Sequence, residues 1–212
     1  QKALTFAVTH PVPHQNVSTE IHRSGGPFTL VPLPARAGLP CSAVVWMETG
    51  PEVWRLHALP VAQFEAAIDA RSCGVLGPLT LVTKRLVWPM IAQLADRMTG
   101  ERVALMAEAA HVVPPIGAQG LNMSLADLAA LLELAGTHDL GSEAMLAAYH
   151  RRRYPDIRTR VMGIDALNRA SMVQMPMLRD MRAAALSGLY AMTPVRKTLM
   201  KAGLGAQDQR LP

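Results

Sequence analysis

The sequence predicts an α+β protein: an antiparallel sheet in the first hundred residues, then a strand–loop–helix unit, then a helical C-terminal tail. Three observations carry this. Residues 1–60 break into short β-branched runs separated by Gly and Pro. The run Arg102–Ala107 leads through a Gly- and Pro-rich loop into a segment of helical periodicity. Beyond Gly141-Ser142, apolar residues again recur at helical spacing.

Taken in order, Leu4–Thr9 alternates as a half-buried strand does, and Val17–His22 is a second short run. Gly25-Gly26-Pro27 punctuates before a third run at Phe28–Val31. A fourth, Ser42–Met47, ends near Gly50-Pro51. From Pro60 to Arg71 the positions Val61, Phe64, Ala67 and Ile68 fall on one helical face, and Leu76–Val87 returns to strand-like composition. Residues 88–98 are expected to begin another helix, and Arg102–Ala107 reads as a strand buried on both faces. A loop holding Pro114, Pro115, Gly117 and Gly120 enters a helix from about Asn122 to Ala135, closed by Gly136. In the tail, Ile157, Val161, Ile164, Leu167, Ser171 and Met175 mark a buried stripe. The expected divisions are residues 1–100, 101–140 and 141–212.

At 212 residues and 50% hydrophobic, the chain is long and apolar enough to bury a core. Its net charge of +5 is unevenly spread: residues 1–150 hold 9 basic and 12 acidic side chains, residues 151–212 hold 12 and 4. A basic tail suits nucleic acid, anionic lipid, an acidic partner or a solvated helical surface, and charge alone does not choose among them. The Met-rich tail (Met172, Met175, Met177, Met181) reads either as a core face of adaptable thioethers or as an amphipathic surface. Two cysteines, Cys41 and Cys73, make neither a disulfide framework nor a metal-ligand spacing. That composition suggests a reducing, cytoplasmic compartment, and no run reaches the roughly 18 apolar residues of a membrane span. His10, His14, His22 and His111 lie on separate segments, so no metal site is expected. Ser42 and Ser124 lie in no nucleophile elbow.

The stretch that carries chemistry is residues 108–127. Glu108 stands at the end of the expected strand, and the loop after it runs into a helix N-terminus, where unpaired backbone N–H groups and a positive dipole end favour negative charge. Gly117 and Gly120 let a ligand approach the backbone. An ordinary strand-to-helix turn capped by Asn122 fits the same residues.

The string Glu108-Ala-Ala-His-Val-Val-Pro-Pro-Ile-Gly-Ala-Gln-Gly-Leu-Asn-Met-Ser-Leu-Ala-Asp127 closely resembles the second flavin-binding motif of the aromatic-hydroxylase flavoproteins. The segments Thr9–His14, Glu20–His22, Gly26–Phe28, Val31–Pro34 and Val45-Trp46 are similar to the substrate-domain sheet of the ubiquinone-biosynthesis branch. Tyr149–Arg153 with Asp156 and Asp165–Arg169 resemble its C-terminal helical segment. The resemblance implies an FAD-dependent monooxygenase that hydroxylates a polyprenyl phenol with NAD(P)H and oxygen. It assigns Glu108 to the ribityl hydroxyls of FAD, and Pro115, Gly117, Gly120, Leu121 and Asn122 to the flavin ring. No protein nucleophile is required, because the flavin carries the chemistry.

Two departures from the pattern are Ala107, where the family normally has Gly, and Glu108 in place of the commoner Asp. The family's Gly-x-Gly-x-x-Gly unit, which cradles the pyrophosphate, is not in these residues. The chain is therefore expected to hold the C-terminal half of the enzyme, to bind FAD weakly or not at all alone, and to expose an apolar edge at Val103–Met106. A homo-oligomer or a complementing N-terminal half would cover that edge. The alternative is a non-catalytic binding module. For the Met-rich tail the core-face reading is the favoured one; because a polyprenylated substrate lives in the membrane, peripheral attachment to the inner membrane through Arg179, Arg182, Arg196, Lys197 and Lys201 is the alternative, and nucleic acid is not expected.

Overall fold

A computed structural model describes residues 1–23, 25–115 and 119–171, with the backbone alone for Leu167 and residues 169–171. Gly117, Met175 and the basic and Met-rich positions of the tail lie outside the described residues. The architecture is α+β, and two compact units have as their bodies Gln1–Met90 and Ile91–Arg169. Among the described residues, no helix is long and apolar enough to cross a membrane.

The first unit is an antiparallel sheet backed by two helices. Strands β1 (Lys2–Thr9), β2 (Thr19–Arg23), β3 (Gly26–Arg36) and β4 (Leu39–Glu48) are joined by the short β5 (Thr80–Leu81) and β6 (Leu86–Pro89). Their order is β2-β3-β4-β1-β5, with β6 also on β1. The register sets Leu4 against Trp46, Phe6 against Val44, and Phe28 and Leu30 against the same two β4 residues. Because side chains alternate across a strand, these six share one face. Helices α1 (Gly50–Ala58) and α2 (Val61–Ser72) cover that face with Val53, Leu56, Phe64 and Ile68, all essentially fully buried. Each such side chain contributes roughly 1.5–3 kcal/mol by leaving water.

Helix α1 is not anticipated by the sequence pattern. It is nine residues long with two buried positions, Val53 and Leu56, too few to show a period. Its proline lies in the first turn, where a missing N–H is tolerated, so the Gly-Pro pair opens a helix as well as ending a strand.

The β2–β3 hairpin is held from behind. The Arg71 guanidinium, buried at the end of α2, donates to the carbonyls of Ile21 and Gly26. Gly26 has φ +138°, and a Cβ there would lie 2.7 Å from the Met47 carbonyl oxygen, so only glycine admits this approach of β3 to β4. At the far end of β1, His10 Nδ1–H donates to the Val12 carbonyl at 2.8 Å, and the Ser42 hydroxyl donates to His10 Nε2 at 2.9 Å. Burial pushes this imidazole below its usual range against the raising effect of the Val12 bond, and His14 adds to the lowering. Ser42 is fully buried, so the pair acts as a clasp on the strand ends.

The second unit contains two minimal ladders and two long helices. Strand β7 (Gln93–Leu94) pairs with β10 (His111–Val112), and β8 (Thr99–Gly100) with β9 (Val103–Ala104). A 3-10 turn spans Ala107–Ala109, and the helices are α3 (Gln119–Ala135) and α4 (Glu143–Ser171). Met98, Ala110, Met123, Ala130, Tyr149 and Ile157 form the core. Tyr149 donates to the Leu105 carbonyl at 2.9 Å, and burial, with the Asp127 charge nearby, pushes its phenol well above the ordinary tyrosine range.

Several expectations are corrected here. Residues 88–98 form no helix; they carry the end of β6 and all of β7. The strand expected over Arg102–Ala107 shrinks to Val103–Ala104, and Val103 is 51% exposed rather than buried on both faces. A buried central strand requires neighbours on both sides, and β9 has only β8. Leu76–Val87 is a strand only at Thr80–Leu81 and from Leu86. In α4, Ile157 and Ile164 are buried and Val161 is partly so. Tyr149 and Arg153 extend that stripe backwards at four-residue steps, past Pro155 on the exposed side.

Candidate functional site

The site is built on the loop between β9 and α3. Glu108 sits on the 3-10 turn with its side chain exposed, and Pro115 is exposed further along. Gly120, Leu121 and Asn122 all fall in the first turn of α3, which begins at Gln119. Asn122 is therefore inside the helix, and the reading of it as the cap is corrected: the helix starts three residues earlier. Leu121 is 69% exposed, and a Cβ on Gly120 would meet only Val113 at 3.9 Å. A helix start carries first-turn N–H groups that no intrahelical carbonyl can satisfy, and here it presents the exposed Leu121.

What holds this loop in place is a buried charge network. Asp127, on the inward face of α3 and fully buried, accepts from the Ala107 backbone N–H at 3.1 Å, His111 Nε2–H at 2.7 Å and Arg153 Nε–H at 2.8 Å. Burial alone would raise the Asp127 carboxyl; the three donors and the Arg153 charge outweigh it and hold the group below the usual carboxylate range. Arg153 also donates to Asp156 at 2.7 Å and to the Met123 carbonyl at 3.3 Å. Arg160 donates to Asp156 at 2.9 Å and to the Gln119 side-chain carbonyl at 3.2 Å. The network therefore touches both ends of the loop: Ala107 beside Glu108, and Gln119 at the start of α3.

Arg153 is the buried network residue whose partner pattern reading does not foresee. Its signal was present only as spacing: four residues after Tyr149 and before Ile157, it occupies a core-facing position of α4, where a charge needs a partner. The structure also gives Ala107 a meaning. Its φ is +54°, in the left-handed region where a Cβ is unfavourable, which accounts physically for glycine as the usual residue there. Replacing Ala107 with Gly is expected to stabilise the chain by about 0.5–1 kcal/mol, the strain relieved less the extra chain entropy. A rise in the urea midpoint at unchanged slope would show it; a fall would mean that the turn is not strained.

His111 is packed, with its ring held by Asp127, and His22 is engaged by Glu20 at 2.8 Å. Among the described residues, no group of three or more His, Cys, Asp or Glu is arranged to hold a metal ion. Among the described residues, an exposed acid stands on a tethered turn and the same loop leads into a helix N-terminus, whose dipole end favours negative charge.

The comparisons identify the class. The chain belongs to the FAD binding domain family, whose model matches residues 4–163, and FAD is the cofactor of that family. The ubiquinone hydroxylase UbiL of Rhodospirillum rubrum is 30% identical over 210 residues, covering 97% of this chain and 48% of that protein. The 3-demethoxyubiquinol 3-hydroxylase of Escherichia coli is 26% identical over 169 residues, covering 77% and 43%. The chain thus spans about half the length of the curated relatives it matches. Among solved structures, the Diels-Alderase PyrE3 of pyrroindomycin biosynthesis superposes with a TM-score of 0.69 at 18% identity, over all of this chain and 45% of that one. PqsL of P. aeruginosa gives 0.64 at 20%, over 82% and 48%. At these identities the likeness shows the fold alone, and one fold carries several chemistries.

Proposed function

We propose that this chain forms the flavin-ring side of an FAD-dependent monooxygenase that hydroxylates a polyprenyl phenol in ubiquinone biosynthesis, with NAD(P)H as reductant. The observation that carries the reading is the exposed Glu108 on a turn whose neighbouring Ala107 N–H is tethered to Asp127 of α3. The residues present fit the cofactor chemically. Glu108 supplies a carboxylate to accept bonds from ribityl hydroxyls. The first turn of α3 supplies N–H donors and a positive dipole end for the electronegative edge of the ring. Pro115, Gly120, Leu121 and Asn122 would supply its lining, with no charge among them to desolvate, and the family motif alone adds Gly117, which lies outside the described residues. FAD, when bound, supplies oxygen activation from NAD(P)H electrons and transfer of one oxygen atom to an electron-rich ring.

The role of the protein is to hold that ring and exclude water. The Asp127–Arg153–Asp156–Arg160 network does the holding at a distance from the cofactor, so its members are positioning residues. A second reading, a binding module that does not hold FAD by itself, draws support from the chain spanning about half of its relatives.

Titration of the purified chain with FAD, followed by flavin fluorescence, separates the two. The chain alone is expected to bind FAD weakly or not at all, so the titration is repeated with the half of the relatives that it does not span supplied separately; saturable binding at micromolar affinity is then expected under the first reading, and Glu108→Ala should weaken it about tenfold or more, the worth of charge-assisted hydrogen bonds. Absence of binding would favour the module, and binding indifferent to Glu108→Ala would overturn the assignment of this loop.

A further inference from the structure

The loop between β1 and β2 is organised around the imidazole of His14. The Leu33 carbonyl of β3 can only accept, so His14 Nε2, 3.3 Å away, carries a hydrogen and donates it. The Asn16 backbone N–H can only donate, so His14 Nδ1, at 3.1 Å, presents its lone pair. The two bonds together require the neutral ring in one tautomer. The Val17 N–H closes a turn onto the His14 carbonyl at 2.8 Å, and the central residues of that turn, Gln15 and Asn16, have φ +50° and +59°. Both are left-handed, a conformation unfavourable to a residue with a Cβ, so the turn depends on the bonds that close it. The His10 ring stands edge-on to His14 at 5.9 Å, with its own nitrogens taken by the Val12 carbonyl and the buried Ser42 hydroxyl.

We propose that His14 is a proton-operated latch: its neutral ring ties the β1–β2 loop to β3, and its protonation frees that loop while the sheet stays paired. A proton on Nδ1 turns the acceptor of the Asn16 bond into a donor, so two N–H groups face each other and the bond is lost. The Leu33 bond survives, since Nε2 donates in either state. What is released is therefore the turn at Gln15-Asn16, with the exposed Val17 beside it, and not β3. His10 does not take the proton instead: burial, to which His14 adds, holds its imidazole below the usual range, whereas the His14 ring is only partly buried. The charged groups of the surrounding elements are engaged elsewhere. Lys2 of β1 and Glu48 of β4 stand at the opposite end of the sheet, and Cys41 of β4, opposite Leu33, brings a buried thiol. Glu20 and His22 of β2 pair with each other, and Arg23 donates to the Ala70 carbonyl. Arg36 of β3 donates to the Val82 carbonyl. On α2, Glu65 and Asp69 accept from the Leu81 and Leu79 N–H groups, Arg71 holds the β2–β3 hairpin, and the Cys73 thiol after it meets the Arg71 carbonyl. The latch thus answers to the charge of one ring, and it is closed at higher pH and opened as pH falls.

The test is a nuclear magnetic resonance titration of the full chain, labelled with nitrogen-15, from about pH 8 to about pH 5, the range in which imidazoles change charge. The His14 ring and the Asn16 amide should shift together with one midpoint, and the heteronuclear Overhauser effects of Gln15, Asn16 and Val17 should fall at the acid end. The equilibrium for opening the turn should rise about fivefold, the worth of one hydrogen bond. The amides of Phe6 and Val44, opposite each other on β1 and β4, should not follow. In His14→Ala the loop should be mobile at every pH. His22→Gln, which removes the ring paired with Glu20 on β2, should keep the wild-type response. The sheet amides of each variant check that the fold survives. Four results overturn the proposal: a His14 ring that stays neutral across the range, an Asn16 amide indifferent to the protonated ring, an acid loosening of the loop that persists in His14→Ala, or a loosening shared by Phe6 and Val44, which would make it an opening of the whole sheet.

Discussion

Replacing Asp127 with alanine is expected to destabilise the chain by about 3–5 kcal/mol, the cost of leaving buried charges without their partner. Three donors converge on this carboxylate, and two of them, His111 and Arg153, are themselves buried. Asp127→Asn should cost less, since an amide oxygen can still accept one of the three bonds. Urea unfolding at neutral pH measures both, and an alanine variant within 1 kcal/mol of wild type would show that the network is not formed. Flavin affinity should fall with the alanine variant, because the Ala107 N–H that anchors the Glu108 turn loses its acceptor.

The same group sets an acid limit. The folded-state pKa of Asp127 is depressed, so its contribution is complete above the unfolded value of about 3.9 and is lost as pH falls through the folded value. Asp156 acts with the same sign: burial raises its carboxyl, but bonds from Arg160 and Arg153 more than reverse this. Glu48 acts oppositely, since burial dominates and raises its carboxyl, favouring the fold at low pH. Stability measured from pH 6 downward should therefore fall below about pH 4, and Asp127→Asn should flatten that fall. An unchanged slope would assign the acid limb to other carboxylates.

Phe64→Ala is expected to cost about 3–5 kcal/mol, the range for removing a large aromatic side chain from a well-packed core. Phe64 is fully buried in α2, meets Phe6 edge-on at 5.0 Å between ring centres, and lies 6.4 Å from Trp46. The Arg85 guanidinium stands 4.7 Å over its ring and donates to the Leu56 and Leu59 carbonyls at the end of α1. Truncation therefore opens a cavity where β1, β4, α1 and α2 meet, and removes the aromatic face under a cation. Tryptophan fluorescence should report the change directly, because Trp46 borders the cavity. Phe64→Leu, which keeps much of the volume, should lose markedly less, and equal losses would argue against a packing origin.

The strands β1 to β4 were legible because alternation and Gly-Pro punctuation are local signals. Helix α2 was legible for the same reason, with four apolar positions on one face. The short strands β7 and β8 were not, and β9 was legible only as a longer, buried run: two-residue ladders have no period, and their pairing is decided by residues distant in the chain, such as His111 against Leu94. The turn at Glu108 was legible as a motif but not as a conformation. Nothing in the local sequence announces that Ala107 takes a left-handed φ or that its N–H reaches a carboxylate twenty residues on.

The sequence by itself determined the fold class, the family resemblance and the candidate loop from Glu108 to Asn122, because strand alternation, helical period and motif spacing are properties of the chain read in order. The tertiary structure alone decided that Asp127, His111, Arg153, Asp156 and Arg160 form one network, that Asn122 lies within its helix, and that the His14 ring joins its loop to β3. Hydrogen bonds between residues 16–41 positions apart depend on how segments pack. Packing is decided by burial and partner geometry over the whole unit, which no short window of sequence contains.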